Sequence, residues 1–381
     1  MKNKPRIKIV GAGPTGLTLA HALSTLNFNV DIYDLKDIHQ LSTSDRAYAI
    51  THSSRRILQE LSLWDQLKPY LIPFSNLEVF DTTINDSFLL QVRDLKPENK
   101  IYQSIGWIIE HSHFTNVIIR NIQESSTVNF LHLDNSNSNY DKYDFCIACD
   151  GSKSKTRDHV NINTIFFSYK KVCIVSRVLI RGISKDTAYE CFRKDGPLAI
   201  LPLKGDLFNV LWTLPLKKAN RIEHYSNSEF LDNLNTVLPY GIEVDCLIAK
   251  PQIVPLTFSI SRRIFKSKTI LAGESCHTLH PVGGQGLNLS LRDIENIYNL
   301  FKFSRFTNHF KLELPYSLFI ERKLDILFTS VITNLLVLIF SNNNPLMTSL
   351  RRIVFFLLKS KRFIKRIVIS LMTDGPNNLF K

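Results

Sequence analysis

The stretch RIKIVGAGPTGLTLAHALSTLNFNVDIYD, residues 6–34, holds a strand, a turn, a helix and a second strand in close succession. RIKIV is apolar and β-branched, GAGPTG (Gly11, Ala12, Gly13, Pro14, Thr15, Gly16) is a turn, LTLAHALSTLN has helical periodicity, and VDIYD returns to strand. Each glycine has its own task. Gly11 allows the tight turn, Gly13 lets backbone N–H groups approach a pyrophosphate, and Gly16 lets helix and strand pack closely. The helix N-terminus then presents partial positive charge to the phosphates. Asp34 ends the second strand, where a carboxylate accepts hydrogen bonds from a ribose diol. The pattern predicts a dinucleotide-binding βαβ unit.

A second glycine-rich turn lies in the last third of the chain, in AGESCHTLHPVGGQGLNLSLRD, residues 272–293. Gly283, Gly284, Gln285 and Gly286 are followed by the helical LNLSLRD, and a bare loop explains neither the His280-Pro281 pair in front nor the helix behind. Two such turns suggest one extended ligand gripped at both ends, and a flavin dinucleotide has that shape. A reduced flavin carries negative charge on its N1/C2 carbonyl edge, which backbone N–H groups at a helix N-terminus suit.

Composition sets outer limits. The 381 residues are 44% apolar, enough for a large core spread over two or three domains. Six scattered cysteines, and a strand that begins at once at Ile7 with no room for a targeting peptide, predict a cytoplasmic protein. Cys146 and Cys149 form a CxxC, but FCIACDG reads as a buried strand with two packed thiols. His277 and His280 are spaced i, i+3 without a completing Cys, Asp or Glu pattern, so no metal site is expected. The formal charge is +13, and Arg351–Arg366, RRIVFFLLKSKRFIKR, holds seven basic residues with no acid among them. Two readings stay open for it: a solvated helix face, or a basic amphipathic helix lying on an anionic membrane or partner surface, peripheral at the membrane's inner face. No nucleic-acid recognition module accompanies the charge. ILFTSVITNLLVLIF, residues 326–340, is apolar but carries Thr329, Ser330, Thr333 and Asn334. It is shorter than the ~20 residues a spanning helix needs, and reads as a buried or interfacial helix.

Along the chain, residues 45–64 read as a short extended piece and then an amphipathic helix with Ile57, Leu58, Leu61 and Leu63 on its apolar side. Alternating β-branched segments within 74–95 and 166–260 predict a mainly antiparallel sheet. The expected class is α/β: a Rossmann-like FAD-binding domain (1–73, 100–165 and 265–310) interleaved with a mainly antiparallel β-sheet substrate domain (74–99 and 166–264). A C-terminal helical region (311–381) follows, broken at Asn342–Pro345.

These pieces resemble the class A flavoprotein monooxygenases, and within them the UbiH/VisC-type hydroxylases of ubiquinone biosynthesis. The resemblance covers nearly the whole chain, through GAGPTG, RAYAITHSSRRILQELSLW (46–64), CDGSKSKTR (149–157), AYECFRKDGPLAILPL (188–203), GESCHTLHPVGGQGLNLSLRD (273–293) and ERKLDILFTSVITNLLVLIF (321–340). It implies FAD as cofactor, NADPH or NADH as transient electron donor, and O2. It sets Pro281, Gly286, Leu287 and Asn288 against the isoalloxazine ring, counts Gly284 among the cofactor-binding residues, and places Arg46 beside the flavin and Asp150 and Gly151 near the pyrophosphate. Gly273 and Glu274 stand where the family usually has Gly-Asp holding the ribityl chain, and Ser290 where it often has Gly. Arg157 is either a contact for NAD(P)H phosphates or an ordinary surface arginine. His111 and His113 lie where the family begins a flavin-flanking helix and are given no role.

The reaction so implied is ring hydroxylation of a polyprenylated phenol or benzoquinone precursor of ubiquinone or a related quinone. A lipid-tailed substrate would suit a membrane or biosynthetic-complex contact through residues 351–366. No general base is assignable from the sequence. Two rivals stay open: a hydroxylase or epoxidase of another aromatic or isoprenoid metabolite, and a catalytically silent FAD-binding subunit of a biosynthetic complex.

Overall fold

The structure, a computed structural model, describes residues 5–133, 142–239, 241–307, 316–341 and 344–376. Its first layer is a six-stranded sheet in the order Val128–His132, Asn29–Asp34, Arg6–Val10, Phe145–Ala148, Thr269–Leu271, Phe265–Lys266. Every neighbouring pair is parallel except the last. Strands from three separated stretches of chain therefore share one sheet. Ile7, Ile9, Val30, Ile32 and Ile147 are fully buried in it, the near-continuous apolar run that a parallel sheet requires. Helix Pro14–Thr25 packs on helices His111–Gln123 and Gln285–Thr307, which ties both glycine turns to one core.

The second layer is a nine-stranded, mainly antiparallel sheet running from His277–Thr278 through Gln252–Ser261, Thr164–Arg181, Leu207–Pro215, Leu198–Pro202, Thr187–Phe192 and Asn76–Asp81 to Asp86–Gln91. Glu243–Leu247 pairs off this path with the long strand, and Thr187–Phe192 runs parallel to Asn76–Asp81. Period-two alternation sorts its faces. Phe208, Val210, Trp212 and Leu214 join a core with Ala219, Phe230 and Leu234 of two short helices. Asn209, Leu211 and Thr213 take the opposite face. There Arg177 ties the sheet to segments 45–50 and 106–110, pairing with Glu110 at 2.7 Å and donating to the Asp45 carbonyl at 3.0 Å. A three-stranded antiparallel sheet, Ala47–Ile50, Gly106–Glu110 and Ile72–Phe74, holds the Arg46 segment.

Four helices follow: Gln285–Thr307, Tyr316–Phe340, Pro345–Ser360 and Arg362–Asp374. Of the expected helix break, Asn342 and Asn343 lie outside the described residues, while Asn344 caps the next helix by accepting from the Leu346 N–H at 2.9 Å. Helix Tyr316–Phe340 extends well beyond the apolar run read from the sequence, and Phe319–Phe340 is long and apolar enough by composition to cross a membrane. Its amphipathy is inverted: Thr329, Ser330 and Thr333 are buried, while Leu324, Phe328, Val331, Leu335 and Leu338 are exposed. The buried hydroxyls are satisfied along the helix, Ser330 donating to the Ile326 carbonyl and Thr333 to that of Thr329.

The basic run Arg351–Arg366 finds its compensating acids across the fold: Arg351 is fully buried 3.5 Å from Asp81, Lys359 pairs with Asp86, and Arg362 lies 3.6 Å from Asp94. Lys365 donates to the Leu89 carbonyl at 2.7 Å. Arg352, Lys361 and Arg366 stay exposed.

Candidate active site

The first turn has the geometry its glycines require. Gly11 adopts φ +98°, donates to the Tyr33 carbonyl at 2.7 Å, and sits so close to Cys149 that an added Cβ would lie 2.4 Å from its carbonyl oxygen. A Cβ on Gly16 would fall 1.8 Å from the Gly11 oxygen. Gly13 begins the helix with no capping side chain, and a Cβ there would meet nothing within 4 Å. The turn is thus closed by Gly11 and Gly16 and open at Gly13. Asp34 holds it from the side, its Oδ2 accepting from Ala12 N–H at 2.6 Å and its Oδ1 from Lys36 N–H at 2.8 Å.

The second grip lies directly against the first. Gly273 has φ +62°, and a Cβ there would lie 2.7 Å from Thr15 Oγ1. Its N–H donates to Asp293 Oδ2 at 2.8 Å, and Asp293 also takes His277 Nε2 at 2.7 Å and Arg322 Nε at 2.6 Å. Burial alone would raise the Asp293 pKa, but Arg322, His277 and the Gly273 N–H outweigh it and hold the carboxyl down at about 2. Glu274, next to this buried network, is exposed. Ser275 completes the turn, donating to the Ala148 and Ala272 carbonyls at 2.6 and 2.8 Å.

Asp150 and Gly151 form the loop between the two grips. Asp150 accepts from Ser154 Oγ and, at 3.0 Å, from the Thr156 N–H, while Gly151 has φ +82° and open space where a Cβ would stand. Arg157 is no surface arginine. Its guanidinium is buried and donates to the Ser152 and Ser275 carbonyls at 3.2 and 3.1 Å, lashing this loop to the Gly273 turn.

Further along the chain, Pro281 leads into a short 3-10 turn, Val282–Gly284, in which Gly283 and Gly284 have φ +67° and +62°. Helix Gln285–Thr307 then starts, with an added Cβ meeting nothing within 4 Å at Gly283 or at Gly286. Leu287 is half-buried. Asn288 is buried with its whole amide engaged. Its Oδ1 accepts from Thr51 N–H (2.9 Å), Thr51 Oγ1 (3.0 Å) and Ser54 Oγ (2.7 Å), and its Nδ2 donates to Ala49 (2.7 Å) and Gly284 (2.8 Å) carbonyls. The side chain therefore staples the glycine turn to the strand Ala47–Ile50, which follows Arg46. Ser290 donates back to the Gly286 carbonyl at 3.1 Å and disturbs nothing.

Arg46 is exposed beside Tyr48. Sequence reasoning passed over Tyr48, although both alternate onto one face of the 46–50 segment. His111 Nε2 faces the Leu41 carbonyl at 2.7 Å, and a carbonyl only accepts, so Nδ1 is the acceptor and Tyr48 donates to it at 2.8 Å. Burial keeps His111 neutral by lowering its pKa. Burial, opposed by Arg46 and reinforced by Glu274, pushes Tyr48 up to about 12, so its proton stays on. His113 stacks on Tyr70 instead. His277 belongs to the Asp293 network, and burial with Lys171 nearby drops His280 to about 3. The two histidines thus serve separate environments, and among the described residues no cluster of metal-ligating side chains occurs.

Open space for close backbone approach stands at Gly13 at the first helix, Gly151 in the middle loop, and Gly283 and Gly286 at the second helix. The residues fit FAD. A profile of the FAD binding domain matches residues 120–303, and one of the NAD(P)-binding Rossmann-like domain matches 9–39. The ubiquinone hydroxylase UbiM of Neisseria meningitidis is 24% identical over 315 residues, 77% of this chain and 68% of that protein. The 3-demethoxyubiquinol 3-hydroxylase of Escherichia coli is 24% identical over 325 residues, 80% and 82% of the two chains. The chain is an FAD-dependent monooxygenase, similar to the UbiH-type hydroxylases. In fold this monooxygenase matches p-nitrophenol 4-monooxygenase PnpA of Pseudomonas putida, with a TM-score of 0.76 over 98% of this chain and 99% of that one at 15% identity. For a monooxygenase of this type, FAD and NAD(P)H are the cofactors the two matched profiles support.

Proposed function

We propose that this monooxygenase hydroxylates the aromatic ring of a polyprenylated phenol or quinone precursor, in the making of ubiquinone or a related quinone. Bound FAD, reduced by NAD(P)H, supplies the oxygen-activating chemistry. The single observation that carries the reading is the ring-end turn: Gly283 and Gly286 leave open space where helix Gln285–Thr307 starts, and Asn288 fastens the turn to the strand that follows Arg46. That helix end and the exposed Arg46 guanidinium oppose negative charge on the flavin's pyrimidine edge. Gly13 and its helix take the pyrophosphate, Asp34 the adenosine ribose, and Glu274, free of the buried Asp293 network, the ribityl hydroxyls.

The test is the visible spectrum of the purified protein, then NADPH oxidation under air with and without a prenylated phenol. Bound flavin, stimulated oxidation and a product one oxygen heavier are expected. No flavin after reconstitution would remove the reading.

Membrane docking belongs to the same proposal and also fits a cytoplasmic, peripheral protein. Exposed Arg352, Lys361 and Arg366 lie among exposed Ile353, Phe356, Phe363 and Ile367, and the long helix adds the apolar face of Leu324, Val331 and Leu338. Co-sedimentation with phosphatidylglycerol vesicles should fall when Arg352, Lys361 and Arg366 are changed to Glu; unchanged binding would refute the surface.

A further inference from the structure

The inner face of the large sheet carries a row of side chains in register: Val175 opposite Leu211, Leu211 opposite Ala199, Ala199 opposite Glu190. These four are half-buried although they lie in the middle of a nine-stranded sheet, so this face is not filled by the core around them. Two strand spacings, roughly 10 Å, separate Glu190 from Leu211, enough for an aromatic ring to lie on the floor between them. At the end of the row the Glu190 carboxyl meets the backbone N–H of Gly283, in the turn on which the flavin ring is proposed to rest. An apolar floor and one carboxyl thus open beside the ring-end turn.

We propose that Glu190 is the catalytic base that takes the phenolic proton of the substrate, with Val175, Leu211 and Ala199 as the floor under its ring. The inference deepens the hydroxylase reading and rests on it. The phenol O–H bond breaks, the proton passes to a Glu190 carboxylate oxygen, and the electron pair stays on the phenolic oxygen, enriching the ring for attack on electrophilic oxygen. No external oxidant or reductant enters this step. Glu190 is suited to it because no cation pairs with it among the described residues. Burial raises its pKa to about 7, and the Gly283 N–H pulls it back only in part. The thiols of Cys173 on the long strand and Cys191 on its own sense the Glu190 charge, and both are pushed up to about 12, chiefly by burial. From the flanking strands Ala199 and Val79 stand opposite it, and Gly283 faces it from the turn. The carboxylate is the active form, so hydroxylation rises as pH rises through about 7.

The experiment compares wild type, Glu190→Gln and Glu190→Asp as full-length holoproteins. Flavin bound per chain, NADPH consumed, hydroxylated prenylated phenol and hydrogen peroxide are each measured across pH. Glu190→Gln is expected to lose ~100-fold or more in hydroxylation, to divert reducing equivalents to peroxide, and to lose the acid limb of the profile. Glu190→Asp should keep that limb with poorer coupling, and it carries the test alone if the glutamine variant binds no flavin. Hydroxylation by Glu190→Gln with the wild-type pH profile, or a wild-type profile without an ionisation near neutrality, overturns the assignment. A wild-type flavoprotein that hydroxylates no phenol removes the hydroxylase reading itself, and Glu190 with it.

Discussion

Gly273 touches Thr15, and through that contact the two glycine turns, far apart in sequence, form one surface: a Cβ on Gly273 would lie 2.7 Å from Thr15 Oγ1 and 3.0 Å from its Cγ2. Gly273→Ala meets that clash and also a φ of +62° that a side chain resists. We expect a loss of about 2–3 kcal/mol in stability and a weaker flavin complex. Adding Thr15→Ala should restore only part, since the Thr15 Cβ at 3.2 Å and the backbone strain remain. Thermal melts and flavin titrations of the single and double variants check this.

Asp293 anchors the same turn from beneath. Asp293→Asn would leave the buried Arg322 with Asp325, a carboxylate that Arg292 shares, and so leave the buried cluster with excess positive charge, at about 3–5 kcal/mol. The folded pKa of about 2 lies below the unfolded carboxyl value near ~3.9, so the stabilisation is complete above the unfolded value and is lost as pH falls through the folded one. Wild-type melting temperature should therefore drop between about pH 4 and pH 2, and the asparagine variant should show a flatter acid limb. Equal acid limbs in the two proteins would refute the role.

Much of this was legible in the sequence, for physical reasons. GAGPTG and its flanking strands are local, and short-range sterics fix the tasks of Gly11 and Gly16. The helix after Gly286 follows from its own periodicity. Long-range pairing hid the rest. Nothing near Arg351–Arg366 reveals that Asp81, Asp86 and Asp94 will meet its cations, because those acids lie on a distant strand pair and the 3-10 turn that follows it. Arg157 reads as a phosphate contact or a surface arginine until Ser275 arrives from a distant stretch of the chain. Asn288 reads as a ring neighbour, and only the pairing with Thr51 and Ala49 shows its amide fully engaged.

Asn288 yields a third prediction. In Asn288→Asp an oxygen replaces the Nδ2 donor and faces the Ala49 and Gly284 carbonyls, two acceptors it repels. The ring-end turn should loosen from the Arg46 strand. A loss of about 2–3 kcal/mol is expected, with faster flavin release measured by fluorescence recovery. Release at the wild-type rate would mean the staple does not hold the turn in place.

Arg157 separates two roles by one comparison. As a tether it holds the Asp150–Gly151 loop to Ser275 through its buried guanidinium, and Arg157→Ala leaves two carbonyls without their donor. About 2 kcal/mol of stability and some flavin affinity should go, while KM for NADPH stays within about twofold of wild type. Arg157→Lys should recover little, because one ammonium on a flexible stem does not reproduce the planar fork that spans Ser152 and Ser275. Were the residue instead to clasp the phosphates of the nicotinamide donor, the alanine variant would melt as wild type does and KM for NADPH would climb by about tenfold or more. Steady-state kinetics beside thermal melts of the same preparations decide between them, and the buried guanidinium favours the tether.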